Sequence, residues 1–219
     1  MDDTLIINLK AYKAATGAAA KHLLSVFDGV DTGESRLIVA VNPVDIHLAS
    51  ATPLTVYAQH VDPVTYGSHT GHITPEAAKN QGCDGTLLNH SECKRDHDVL
   101  RDTLVRTEDA GLNTVVCASS LDELASLTPL NADAFAIEPP ELIGGQTSVS
   151  TAEPELIDDA ASQASTEGKP LLCGAGVKTA EDVRRAKDLG AAGVLVASGV
   201  VKAERPVQAT ENLLSGFND

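Results

Sequence analysis

The chain has 219 residues, 42% of them hydrophobic, enough for one sizeable core; aromatics are 3% and Trp is absent, so that core must be Val, Leu, Ile and Ala. The 16 basic residues against 31 acidic ones leave a formal charge of −15, which argues against nucleic acid and against anionic membrane surfaces as partners. No charged-then-apolar leader and no apolar run of membrane-spanning length is present, so a soluble cytoplasmic protein with no membrane partner is expected. An acidic, lysine-poor surface also suits a salt-rich cytosol, where screening over short distances removes self-repulsion. Cys83, Cys93, Cys117 and Cys173 lack metal-type spacing and are expected to be free thiols, with Cys117 and Cys173 in the core.

In chain order, Leu5-Ile-Ile-Asn8-Leu-Lys10 starts as an apolar strand and ends with Asn8 and Lys10 on the same side at period two. A helix is expected from about Thr16 to Phe27, with Leu23, Leu24 and Phe27 on one face. Arg36–Val41 is a second strand, followed by a short helix around Val44–Ala51 and a third strand, Leu54–Ala58. The polar stretch Gln59–His72 is long for a connector and marks a functional loop or an interface; its histidines have no metal spacing. Thr74-Pro75-Glu76 opens a helix, Gly85–Asn89 is strand four, and a helix spans about Asp96 to Ala110 before Gly111. Asn113–Ala118 is strand five, and Ser120-Leu-Asp-Glu123 reads as a capping box.

Strand six, Ala134–Ile137, ends in a single carboxylate, Glu138, and Pro139 stops it there. Pro139-Pro-Glu-Leu-Ile-Gly-Gly145 has a proline hinge at one end, a glycine hinge at the other and apolar cover between, so a lid over a base is expected. A surface carboxylate before an ordinary turn is the equal alternative on this segment alone. A helix from about Glu153 to Thr166 follows, then strand Pro170–Cys173 with Gly174-Ala-Gly176 after it. A helix capped at Thr179 runs to Leu189, strand Gly193–Val196 ends in Ala197-Ser198-Gly199, and a last helix covers about Val207–Ser215.

Strand alternates with helix eight times without a composition break, which implies one parallel sheet closed as a single (β/α)8 barrel domain over residues 1–219. The open doubly wound alternative lacks a Gly-x-Gly-x-x-Gly after strand one. Barrel chemistry sits at the carboxyl ends of the strands. There the sequence gathers Asn8, Lys10, His90, Glu92 and Glu138, with small residues after strands seven and eight where backbone amides can approach a phosphate. One base, one imidazole, one cation and a phosphate cradle, with no metal cluster and no cofactor fingerprint, suit proton shuttling on a small phosphorylated carbonyl compound.

Asn8-x-Lys10, Asn89-His-Ser-Glu92, Ile137-Glu-Pro-Pro-Glu-Leu-Ile-Gly144, Cys173-Gly-Ala-Gly176 and Val196-Ala-Ser-Gly-Val-Val-Lys-Ala203 together resemble the triosephosphate isomerases, in the short form of the archaeal branch. That family interconverts dihydroxyacetone phosphate and glyceraldehyde 3-phosphate without a cofactor on the TIM barrel, in glycolysis and gluconeogenesis. It is the standing illustration of a glutamate base working with a histidine held neutral by a helix N-terminus. The resemblance implies Glu138 as base, His90 as electrophile, Lys10 as electrostatic partner and Asn8 as its neighbour at the substrate. It implies that the backbone at Ile143, Gly176, Ala197 and Ser198 holds the phosphate, and that Glu92 is a buried supporting carboxylate. It also implies a homodimer or homotetramer, with the Gln59–His72 loop docked near the neighbour's Lys10 and, in the archaeal branch, dimers often pairing again through shortened helices. Two departures stand out: Cys93 occupies a position where many bacterial and eukaryotic members carry Arg, and Pro140 replaces the Val-Trp of the common lid. An isomerase for another short sugar phosphate, or a phosphate-binding barrel without activity, are the competing readings.

Overall fold

The computed structural model describes residues 3–145 and 147–218. Eight short strands carry the apolar runs: β1 (Thr4–Asn8), β2 (Arg36–Val41), β3 (Thr55–Ala58), β4 (Gly85–Leu88), β5 (Asn113–Ala118), β6 (Ala134–Ile137), β7 (Leu171–Cys173) and β8 (Gly193–Val196). They are hydrogen-bonded in sequence order, and β1 closes on β8. Every pairing is parallel, with Ile6 opposite Ile38 on one side and Leu195 on the other. The closed barrel bears out the sequence expectation and rules out the open sheet.

Side-chain alternation divides the core into two layers. Ile6, Ile38, Ala40, Leu87, Val115, Ala134, Ala136, Leu172 and Leu195 fill the barrel interior together with Tyr57 and Cys117. Leu5, Ile7, Val39, Val41, Phe135 and Ile137 point outward into the layer shared with the helices. With so many alanines inside, the interior needs one large filler, and Tyr57, 1% exposed, supplies it. Gly85 makes room for it: a Cβ there would lie 2.5 Å from the Tyr57 ring and from the Asn113 carbonyl oxygen.

The outer layer is built from α1 (Ala18–Phe27), α2 (Pro75–Asn80), α3 (His97–Ala110), α4 (Leu121–Leu127), α5 (Val149–Ala152), α6 (Pro154–Thr166), α7 (Ala180–Asp188), α8 (Ser198–Val201) and α9 (Pro206–Ser215). The expected helix from Thr16 is two pieces, a 3-10 turn at Lys13–Ala15 and α1. Gly17 breaks it, because it sits at φ +61° with its N–H given to both oxygens of buried Asp45. The helical part of the connection between β2 and β3, Pro43–Ala51, is 3-10. The short chain is accommodated by trimming α2 to 6 residues and α4 to 7.

Ser120 caps α4 by accepting from the Glu123 N–H at 3.2 Å, but the reciprocal half of the expected capping box is missing. The Glu123 carboxylate turns instead to Ser119, Asn89 and Lys94. The full box forms at α7, between Thr179 and Asp182. All four cysteines are free, with Cys83, Cys117 and Cys173 buried and Cys93 exposed.

If Tyr57 fills the interior as tightly as the geometry implies, Gly85→Ala is overpacked from two sides. It is expected to cost about 1–3 kcal/mol in a urea unfolding titration, the usual range for such insertions. An unchanged midpoint would mean that the interior has slack to absorb a methyl group.

Candidate active site

Strand parity delivers three of the polar side chains to the mouth of the barrel. Ile6, Asn8 and Lys10 share the inward side of β1 and its extension, and Ala134, Ala136 and Glu138 share that of β6. The Glu138 N–H donates to Ala118 at 2.9 Å, which keeps the residue in line with the strand. His90 is different. Leu88 faces outward, and a continued β4 would send His90 the same way. Asn89 adopts the left-handed conformation, φ +57°, and this reverses the chain so that His90 faces the mouth. The Asn89 side chain pins the turn: its amide donates to Cys117 and Glu123 at 2.9 Å each, and its oxygen accepts from Arg95 at 3.0 Å. Burial opposes a charge on Glu123, but hydrogen bonds from Lys94, Ser119 and Asn89 hold its carboxyl below the usual range, so the support stays ionised.

His90 Nδ1 accepts the Glu92 N–H at 3.1 Å. A nitrogen that accepts cannot carry a proton, so the ring's proton is on Nε2. Nε2 lies 3.3 Å from Glu138 Oε2, and both atoms are buried without a hydrogen-bond partner among the described residues. Burial first, then the Lys10 cation, pushes His90 down to about 4, with Glu92 opposing. Burial pushes Glu138 up to about 7, against the pull of Lys10. Near neutral pH the imidazole is therefore uncharged, and the carboxyl group is poised between its two forms.

Lys10, 8% exposed, is held in a left-handed conformation at φ +49°. Asn8 Oδ1 accepts its N–H at 3.0 Å, and Gln59 Nε2 donates to its carbonyl at 3.1 Å and also to Ala40. Its ammonium meets Glu92 Oε1 at 2.8 Å. Glu92 is not the buried carboxylate expected, since its side chain is 59% exposed. It lies on a single 3-10 turn, Ser91–Cys93, at the rim, where its backbone serves His90 and its tip serves Lys10. Cys93 leaves no cation at its position; Arg95, two residues on, reaches His60 at 3.0 Å and Asp62 at 3.9 Å on the loop after β3.

Lys10, Glu138, Ile143, Gly176, Ala197 and Ser198 line one cleft. Asn8, His90, Gln59 and Glu92 line an adjoining hollow, and Lys10 belongs to both. The structure thus gathers every residue singled out from the sequence around one mouth. Ser198 and Gly199 open α8 ahead of its first intrahelical bonds, so their N–H groups are available at the cleft. Gly176 sits at φ +75° with the Thr147 carbonyl packed where a Cβ would be. The Ile143 N–H is engaged, donating to Pro140 at 3.2 Å within a 3-10 turn over Pro140–Leu142. Among the described residues no group of three or more His, Cys, Asp or Glu converges as a metal site would require.

Three contributors escape a sequence reading. Asn89 and Gln59 act through hydrogen bonds to groups on other loops and strands. Gly174 is the third: a Cβ there would lie 2.7 Å from Glu138 Oε1 and 2.8 Å from the Leu195 carbonyl, so the carboxylate occupies the space a side chain would take. The available signal for Gly174 was a glycine at the tip of the strand beside β6.

The family model described as triosephosphate isomerase matches residues 3–213. The chain is 44% identical to a triosephosphate isomerase of Halobacterium salinarum over 213 residues, covering 96% of this chain and 98% of that protein. It is 42% identical to one of Thermoplasma volcanium over 212 residues, with 96% and 99% covered. Against one of Saccharolobus solfataricus the figures are 40% over 214 residues, with 96% and 94% covered.

The raised Glu138 predicts a cost in stability. In the folded chain the group keeps its proton to about pH 7, whereas the unfolded chain releases it in the ordinary carboxylate range. Its contribution is intact below that range and is lost as pH rises through about 7. Glu138→Gln cannot ionise, so its free energy of unfolding is expected to exceed that of the parent at pH 8, by a few kcal/mol at most, and to gain much less at pH 5. His90 titrates the other way but is common to both proteins. An equal gain at both pH values would sink the burial account.

Proposed function

The chain belongs to the triosephosphate isomerase family, and we propose that Glu138, His90 and Lys10 carry the family's reaction here. That reaction interconverts dihydroxyacetone phosphate and glyceraldehyde 3-phosphate. Glu138 takes a proton from the carbon beside the carbonyl and returns it to the neighbouring carbon. The His90 Nε2–H donates to the carbonyl oxygen as negative charge develops, and the Lys10 ammonium stabilises the enediolate. Asn8 and Gln59 hold Lys10 in place, and amides at Gly176, Ser198 and the Ala197 turn receive the phosphate, with Ile143 on the lid joining them once its own turn opens.

The observation that carries this reading is the pair of buried, unpartnered atoms, His90 Nε2 and Glu138 Oε2, 3.3 Å apart. Leaving two such atoms without a partner costs stability, and a substrate carrying both a C–H acid and a carbonyl oxygen gives each a role. Pro139–Gly145 is the lid; the enediolate loses phosphate in contact with water, so the mouth must be covered during the reaction. Glu138→Asp withdraws the carboxylate by one methylene. A misplacement of about 1 Å can cost ~100-fold, so turnover in a coupled assay should fall by at least that factor with little change in KM. Near-normal turnover would remove Glu138 from the role of base.

The same reading extends to a cytoplasmic homo-oligomer adapted to salt. The loop after β3 supports the oligomer: Asp62 clasps its base through Ile73 at 2.8 Å in both directions, while 65–72 is exposed and Tyr66 is 65% exposed at the tip. The four free thiols support a reducing compartment, which fractionation of the source cells would check. The charge of −15 supports the salt requirement. Light scattering and melting across a KCl series test the rest: a dimer or tetramer is expected, with melting temperature rising with KCl. A fully active monomer would defeat the oligomer, and salt-independent melting the adaptation.

A further inference from the structure

We infer that Lys178 is a phosphate-binding residue of the cleft, whose ammonium is shared between the lid carbonyl of Gly145 and the phosphoryl oxygens of the substrate. The inference rests on the phosphate reading above and adds a cation to a cradle otherwise described by backbone amides.

Three anchors fix the lysine. Its N–H and that of Thr179 both donate to Asp182 Oδ2 at 3.0 Å, within the cap of α7, so the backbone cannot wander. Its stem lies along the start of α8: a Cβ on Gly199 would be 3.3 Å from Lys178 Cγ. Its Nζ donates to the Gly145 carbonyl at 2.9 Å. One half-buried side chain therefore touches the loops after β6, β7 and β8, the three walls of the cleft that Lys178 itself lines with Gly176, Ser198 and Gly199.

The charges decide what happens when a phosphate enters. Lys10, the other lysine lining the cleft, is already paired with Glu92 at 2.8 Å, and Glu138 repels an anion when ionised. A phosphoryl group carries about −1.5 to −2 near pH 7. The ammonium carries three N–H donors, and a bond to such an anion gains a Coulomb attraction that its bond to the neutral Gly145 carbonyl lacks. Lys178 therefore turns donors toward the phosphoryl oxygens and shares its ammonium between them and the Gly145 carbonyl. Sharing weakens the hold on that carbonyl and loosens the hinge, where Gly144 already stands at φ +73°. Arrival of the phosphate is thereby coupled to movement of the lid.

The test uses inorganic phosphate as a competitive inhibitor at constant ionic strength, with the parent, Lys178→Met and Lys178→Arg. Lys178→Met should weaken phosphate inhibition by about tenfold or more and raise KM by a similar factor, with a smaller change in kcat, for loss of one charge-assisted bond. Lys178→Arg keeps the charge and should recover most of the affinity. A Met variant inhibited by phosphate as strongly as an inhibited parent overturns the inference and leaves the phosphate cleft standing. A Met variant whose only change is lower kcat with free phosphate released during turnover also overturns it, because the lysine is then a strut of the lid alone. A parent that phosphate does not inhibit overturns both the inference and the phosphate reading. Melting curves for each variant show that the fold is intact.

Discussion

Burial of the Glu138 carboxyl group at the tip of β6 is the constraint from which the rest of the mouth follows. A carboxylate excluded from water is a stronger base and a costlier one, and both consequences come from the same desolvation. The surroundings are arranged to keep it dry without neutralising it. Gly174 gives up its side chain so that Oε1 fits, and the Leu195 carbonyl closes the space behind. Lys10 pulls the group back toward its charged form, but that cation is itself shared with Glu92 at the rim. The result is a group poised near pH 7 rather than locked in either state.

The same burial acts on His90 with the opposite sign. A buried carboxyl is pushed up and a buried imidazole down, and Lys10 works against Glu138's shift while adding to that of His90. The Glu92 N–H on Nδ1 adds a constraint independent of charge, since a proton cannot occupy a nitrogen that is already accepting one. The two groups therefore face each other as base and neutral donor from about pH 7 upward, instead of collapsing into an ion pair. A buried pair that did collapse would satisfy itself and leave nothing for a substrate.

The barrel was legible because its signals are local and repeated: eight apolar runs, most of them closed by a proline, glycine or cap. The inward direction of Asn8, Lys10 and Glu138 was legible too, since period two needs only the strand. His90 was found from its motif, and parity alone would have aimed it outward from β4; the left-handed Asn89 that corrects this depends on Cys117, Glu123 and Arg95. Glu123 illustrates the same limit. Its spacing from Ser120 promised a capping box, but a tertiary demand from Asn89 and Lys94 took the carboxylate. Gln59 was read as the start of an interface loop, while its amide supports Lys10 across 49 residues. What stayed hidden were contacts between loops distant in sequence, where no period or spacing carries the information.

A chain of charge −15 that binds a dianion poses an electrostatic problem, and range resolves it. The repulsion comes from carboxylates spread over the whole surface and acts over distances comparable to or longer than the Debye length, about 8 Å at physiological ionic strength and about 3 Å at 1 M. In the reading proposed above, the attraction comes from Lys10, Lys178 and the amides at the start of α8, which line the cleft and would meet the ligand at contact distance. Salt removes the first far more than the second, because ions cannot enter between partners at hydrogen-bonding distance. Concentrated salt would therefore relieve the repulsion felt by an approaching phosphate while leaving most of the contact energy in place. The acidic surface and the anionic substrate are compatible in such a solvent, and in dilute buffer the same surface would oppose binding.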